Sequence, residues 1–269
     1  MNRERRGLGV FLILFVGMGC SEGRAQTQND VDPAEQKLRA ALDKLEQAKQ
    51  SKTRFTYLDL HHTQNFNEKG KKTADITQLF EVTYIADLQY SRLLEVDGKA
   101  LKGKALEAEQ RRYDDAVRER SALDDNARAK IQHQVMKDAG ITVGPLRDYR
   151  NTVAERAVVD DRDCLVIDSD PVTSARRKSF RIWLDPAKEE MVRMEFTQLA
   201  DEGDMLSGGS GSLEWTYVDG TPLLVRSHID ANSLNGKRWV HLIVDHDYSR
   251  FRRFSVTTTI VPVAPEGKP

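Results

Sequence analysis

Five apolar positions open the readable pattern. Leu38, Ala41, Leu42, Leu45 and Ala48 recur at spacings of three and four, one stripe on a helix of about five turns. Asp32 suits the cap of that helix, Pro33 its first position, and Glu35 the place where a capping box sets its carboxylate. The period then falls to two. Thr53 to Phe66 carries Phe55, Tyr57, Leu58 and Leu60, a turn follows at Asn67-Glu68-Lys69-Gly70, and Thr73 to Ile85 is β-branched and aromatic. Tyr90 to Val96 closes on Asp97-Gly98, residues that tolerate the positive φ of a tight hairpin. These segments predict an antiparallel meander.

Lys102 to Ala139 breaks the alternation. Ala, Glu, Arg, Lys and Gln dominate it, and Gly140 is a natural helix stop. Leu106, Tyr113, Val117, Leu123, Ile131 and Val135 give a thin, interrupted stripe. This predicts one long helix, or two broken near Asp124-Asp125, lying across the rest as a cover. Nine basic and eight acidic residues alternate closely within 102–138, the pattern of a solvated helical face or of a charged docking surface.

From Thr152 strands return, over Thr152–Val159, Cys164–Asp168, Phe180–Leu184, Met191–Leu199, Gly211–Val218, Leu223–Asp230, Arg238–Asp247 and Phe251–Val261. Asp185-Pro186, Ser207-Gly208-Gly209, Asp219-Gly220 and Asn235-Gly236 punctuate them. Phe180/Ile182/Leu184, Met194/Phe196 and Leu213/Trp215/Tyr217 alternate with polar residues, so one face of the sheet is apolar and the other wet. The expected fold class is α+β. Its sheet is antiparallel, of about 11–12 strands, and strongly curved because so long a sheet must curl; helices lie against its concave face.

The N-terminus changes the picture of where this domain works. Arg3, Arg5 and Arg6 precede an apolar run from Gly7 to Gly19, the parts of an export signal and too short for a membrane span. Gly23-Arg24-Ala25 suits a conventional cut before Gln26, whereas Cys20 after Gly19 suits the lipidated cysteine of a bacterial lipoprotein. The expected organisation is a signal over 1–25 (or one cut before Cys20), then a single domain over 26–269 with a helical insert at 102–139. Periplasm or outer membrane is the expected location, with membrane contact through a lipid anchor if Cys20 is acylated.

The whole chain holds 41 Lys+Arg and 42 Asp+Glu, a net charge of −1. Residues 1–25 carry four Arg and two Glu, so the remainder holds 37 basic and 40 acidic residues. That balance argues against nucleic acid as a partner, since phosphate neutralisation needs an excess of cations. Two cysteines make neither a disulfide scaffold nor a four-thiolate zinc site. Cys164, in Cys164-Leu165-Val166-Ile167, reads as a buried apolar residue, with no nucleophile signature around it.

Catalytic motifs are missing. No P-loop, G-x-G-x-x-G, G-x-S-x-G or H-E-x-x-H occurs, and Ser207 to Ser212 reads as a flexible hairpin loop because it opens no helix. Strand geometry puts His241 and Asp245 on one face and His246 on the other, and splits His61 from His62 likewise. A metal site there needs ligands from elsewhere, so no metal and no cofactor is expected. Arg176-Arg177-Lys178 and Arg250, Arg252 and Arg253 read as strand-edge charges, with anionic head groups as the alternative.

The closing half runs Cys164-Leu165-Val166-Ile167, Pro171, Ile182-Trp183-Leu184-Asp185, Val192-Arg193-Met194-Glu195, Val218-Asp219-Gly220-Thr221-Pro222-Leu223 and Tyr248-Ser249-Arg250-Phe251-Arg252-Arg253-Phe254. With the opening helix and the meanders, this order resembles the outer-membrane lipoprotein-sorting (LolA-like) superfamily over roughly 33–261. The resemblance implies a half-barrel whose concave apolar face, lidded by helices, holds a lipid or the acyl chains of a lipoprotein. Candidate lining residues are Phe55, Tyr57, Phe80, Val82, Tyr84, Ile182, Met194, Phe196, Trp215 and Tyr217; alternatively they simply pack against the helices. Three functions follow. The first is a non-enzymatic envelope protein that binds a lipid or acylated lipoprotein, for carriage or sorting to the outer membrane. The second is an interaction lipoprotein docking a protein partner through the charged insert. The third is a hydrolase with dispersed catalytic residues.

Overall fold

The computed structural model describes residues 32–50, 54–138, 148–202, 205–235 and 238–254. The expected signal at 1–25 and Cys20 lie outside the described residues. Helix α1 (Pro33–Gln50) starts where its cap was expected: the Asp32 carboxylate accepts from the Ala34 N–H at 3.0 Å. Glu35 does not close a capping box. Its carboxylate pairs instead with Arg39, one turn along, at 2.7 Å.

The strands are β1 (Arg54–Phe66), β2 (Lys72–Ile85), β3 (Leu88–Val96), β4 (Lys99–Ala100), β5 (Tyr149–Val159), β6 (Arg162–Pro171), β7 (Lys178–Asp185), β8 (Glu190–Gln198), β9 (Ser210–Val218), β10 (Thr221–Asn235) and β11 (Arg238–Phe254). They form one open, curved half-barrel sheet in the order β4-β3-β2-β1-β11-β10-β9-β8-β7-β6-β5. Sheet neighbours are therefore sequence neighbours everywhere except at β1–β11, the antiparallel pair that joins the two ends of the described chain.

The two separate strands expected over Arg238–Asp247 and Phe251–Val261 are one. β11 runs unbroken to Phe254 and absorbs its irregularity in a bulge, where Arg250 adopts φ +56° opposite the Thr56/Leu58 shift in β1. Residues 255–261 of that expectation lie outside the described residues. Gly211 is no loop residue either. It lies inside β9 directly opposite Phe196, and an added Cβ would stand 2.6 Å from the Phe196 ring and 2.5 Å from the His228 carbonyl oxygen.

α1 lies across one face of the β5–β10 half. Its Leu38 and Ala41 have no exposed surface and pack with Tyr149, Leu165, Ile167, Phe180, Ile182, Leu184, Met191, Met194, Phe196 and Leu213. Lys37 and Lys44 tie it down by donating to the Pro186 and Lys188 carbonyls at 2.6 and 2.5 Å. The expected insert forms α2 (Gly103–Ser121) and α3 (Asp125–Asp138), broken beside Asp124 as the sequence suggests. It covers only one end of the sheet: α2 lies against β2 and β3, and α3 against β3. The cause is the buried Glu109, which binds Arg112 at 2.8 Å and accepts from the Tyr90 hydroxyl at 3.1 Å and the Leu93 N–H at 3.3 Å.

Candidate functional site: the inner face beyond helix α1

Residues directly opposite in an antiparallel ladder share a face. One such line crosses ten strands: Val153, Ile167, Ile182, Met194, Leu213, Ser227, His246, His61 and Gln78, with Val96 beyond. It is apolar from Val153 to Leu213 and polar from Ser227 to Gln78. α1 packs against β8 and β10 and covers the apolar part. Past β10 the same face continues without it.

On that remainder β1 contributes Phe55, Tyr57, Asp59 and His61, and β2 contributes Gln78, Phe80, Val82 and Tyr84, because residues two apart share a face. Tyr57 stands opposite Val82, and Asp59 opposite both Phe80 and Tyr248. The rings interlock. Tyr57 meets Tyr248 edge-on at 5.7 Å and Phe251 at 5.5 Å, while Tyr84 meets Phe254 at 5.2 Å.

A polar group interrupts this aromatic surface. His61 and His246 stack at 4.3 Å, and His246 stacks on Tyr248 at 5.5 Å. His246 Nδ1 lies 2.9 Å from the Asp59 carboxylate, which accepts its hydrogen. His61 Nε2 shares a hydrogen bond with Thr63 Oγ1 at 2.9 Å. Burial, then the neighbouring His246, hold His61 below its ordinary pKa, which favours the neutral imidazole. Burial first raises both Tyr57 and Tyr248, joined by the Tyr248 and Tyr84 phenols and Asp59 at Tyr57 and by Asp59 at Tyr248, so each keeps its hydroxyl proton at neutral pH. This surface can thus offer rings to an apolar chain and both donors and acceptors to a polar group.

The ten candidate lining residues divide between the two halves. Ile182 and Met194, both without exposed surface, and Phe196 lie in the core under α1, and Trp215 packs against that core. Tyr217 donates its hydroxyl to the Met191 carbonyl at 3.2 Å, and burial pushes its pKa up to about 12. Phe55, Tyr57, Phe80, Val82 and Tyr84 come together on the half beyond α1; Phe55 and Val82 are buried there and the other three half-buried. Sequence reasoning missed Asp59, Ser227 and Tyr248, and did not join His61 to His246. The Asp59–His61 spacing of two was visible, but their partner His246 lies 187 residues from Asp59 and needs the β1–β11 pairing.

The opposite face is charged and internally matched. Arg181 meets Glu155 and Asp168, Arg193 meets Glu195 and Glu214, and Arg226 meets Glu214 and Asp247. Beside them His228 binds Asp245 at 2.7 Å and His62 binds Asp75 at 2.8 Å; Lys72, then His62, hold the Asp75 carboxyl down to about 2. Among the described residues no group of three or more His, Cys, Asp or Glu is placed to hold a metal ion. The first basic cluster is also partnered, Arg176 with Asp148, Arg177 with the Asp201 carbonyl and Lys178 with Glu202, and in the second Arg253 pairs with Asp219. Cys164 is buried and burial raises its thiol pKa, which removes the thiolate a nucleophile needs.

The solved structures carry the expected likeness. The chain is similar to lipoprotein-sorting proteins of the LolA superfamily. A LolA superfamily protein from Nitrosomonas europaea shares 10% identity at a TM-score of 0.31, covering 81% of this chain and 94% of its own. A domain assigned as an outer membrane lipoprotein-sorting protein from Vibrio parahaemolyticus shares 11% at 0.38, covering 84% and 95%. MucB of Pseudomonas aeruginosa, solved in complex with MucA, shares 10% at 0.24, covering 82% and 100%. No family model matches the sequence, and no curated protein does. What this chain binds is therefore a matter for its own residues. No described helix is long and apolar enough to cross a membrane.

Proposed function

We propose that this chain is an exported envelope protein that binds an amphiphile, a lipid or the acyl chain of a lipoprotein, on the half of its inner face beyond α1. The observation that carries this reading is the mismatch between cover and face. α1 closes the β5–β10 half, while the same face runs on through β11, β1 and β2 with Phe55, Tyr57, Phe80, Val82 and Tyr84. An acyl chain laid there removes apolar surface from water, worth roughly 25 cal/mol per Å². The polar end of the ligand meets the Asp59–His246 pair and His61, which bind and orient without making or breaking bonds. Residues 1–25 support export as a signal.

Native mass spectrometry of residues 26–269, purified without detergent from a bacterial periplasm, tests this. A stoichiometric lipid adduct is expected, with Phe80→Asp weakening uptake of a fluorescent fatty acid about tenfold or more, on the order of 1.4 kcal/mol. A clean apo mass and no fatty-acid uptake by the unaltered protein would sink the reading. The second reading, a protein partner at the helical insert, draws on Leu106 and Ile131, which stand exposed on α2 and α3. Leu106→Asp with Ile131→Asp would then abolish partner capture and leave fatty-acid uptake unchanged.

A further inference from the structure

The inner face beyond α1 has a charge pattern of its own. Between the row of Asn65 and the row of Asp59, the paired positions of β10, β11, β1 and β2 on that face hold no lysine or arginine, and Asp59 is their only carboxylate. Arg226 and Lys72, cations of the same strands, stand on the opposite face against Asp247 and Asp75. The rings beside Asp59 feel the same balance. After burial, the charges acting on Tyr248 and His61 are those of Asp59 and the neighbouring imidazoles, whereas an arginine acts on each of Tyr90, Tyr149 and Tyr217.

Asp59 lies deep for a carboxylate, with 16% of its side chain exposed. One oxygen accepts from His246, and among the described residues nothing donates to the other. His61 shares Nε2 with Thr63, and its Nδ1 has no partner among the described residues. These vacancies discriminate between polar heads. A carboxylate or phosphate oxygen can only accept, so beside Asp59 it meets a like charge where burial weakens screening. An ammonium can only donate and leaves an imidazole N–H unmatched. A hydroxyl does both, donating to Asp59 and accepting from an imidazole.

We propose that this site selects amphiphiles with an uncharged, hydroxyl-bearing head, of the acylglycerol type, over fatty acids and phosphate-headed lipids with the same chain. The inference rests on the amphiphile reading and adds a division of labour: the acyl chain supplies affinity, and Asp59 with its imidazoles supplies the choice of head.

The test is displacement of a bound fluorescent fatty acid from the exported protein by three ligands with chains of one length: monododecanoylglycerol, dodecanoate and dodecylammonium. At about pH 8 the acid is ionised and the amine protonated. The glyceride is expected to displace the probe at about tenfold lower concentration than dodecanoate, with dodecylammonium weaker than the glyceride. Asp59→Asn is expected to bring glyceride and dodecanoate within about twofold of each other. Gln78→Lys sets a cation directly opposite His61, at a half-buried position, and is expected to make dodecanoate the better ligand. Equal displacement by all three ligands, or dodecanoate or dodecylammonium as the best of them, overturns the inference and leaves the amphiphile reading standing. So does an unchanged order of ligands in Gln78→Lys. No uptake of the probe at all removes the amphiphile reading, and this inference falls with it.

Discussion

His61 shows how one side chain is set by its surroundings. Its position alternates with Phe55 and Tyr57 on an aromatic face, so burial works against its charged form, and the stacked His246 adds to this. The sign of the stability effect follows. As pH falls below about 6.5 the unfolded chain takes up a proton at this residue before the folded chain does. Stability is therefore lost as pH drops through that value, until the folded imidazole also protonates. Between about pH 7.5 and pH 5.5 the unaltered protein should lose Tm more steeply than His61→Asn, read by calorimetry. Parallel profiles for the two proteins would mean that His61 titrates as if in water.

At the scale of elements, the telling case is α2. Its composition reads as a solvated helix, and most of its surface is exposed. Yet Glu109 is buried at 7% exposure and gathers Tyr90, Leu93 and Arg112, while the Arg112 and Arg120 guanidinium groups stack over the Tyr90 ring at 5.1 and 5.4 Å. The helix works as a seal on the last long strand. Glu109→Ala leaves buried donors unmatched, at about 1–3 kcal/mol each. The expected outcome is lower stability together with concentration-dependent association through β3, seen as loss of monomer in sedimentation and faster exchange of the Leu93 amide. A stable variant with unchanged Leu93 exchange would show that the seal lies elsewhere.

For the whole molecule, the decisive contact is the β1–β11 pair. It joins Arg54–Phe66 to Arg238–Phe254 and so assembles the half of the face beyond α1 from both ends of the described chain. A ligand on that half binds only the folded protein, because its site does not exist until this pair forms. A bound amphiphile should then raise Tm with ligand concentration, by about 2.7 kcal/mol of added stability at a hundredfold excess over Kd. Hydrogen-exchange protection should grow in β1, β2 and β11, with the strands under α1 unchanged. Protection confined to β7 and β8 would move the site beneath α1.

How much of this was legible in the sequence differs by kind. The α+β class, the helix from Pro33, the meanders and the break at Asp124-Asp125 were readable because periodicity and turn chemistry act over a few residues. The five aromatic and aliphatic positions from Phe55 to Tyr84 could be picked out as candidates by the same alternation. Other features were not local. Burial of Ile182 and Met194 under α1 depends on where a helix lands, and the meeting of Asp59, His61 and His246 depends on a pairing across 187 residues. Gly211 looked like slack in a loop until the Phe196 ring lay across it. Sequence by itself determined which residues alternate, cap and turn, because those preferences belong to neighbouring backbone. Only the tertiary structure decided which half of the sheet lies under α1 and which strand α2 seals, because burial and pairing are properties of surfaces that the fold brings together.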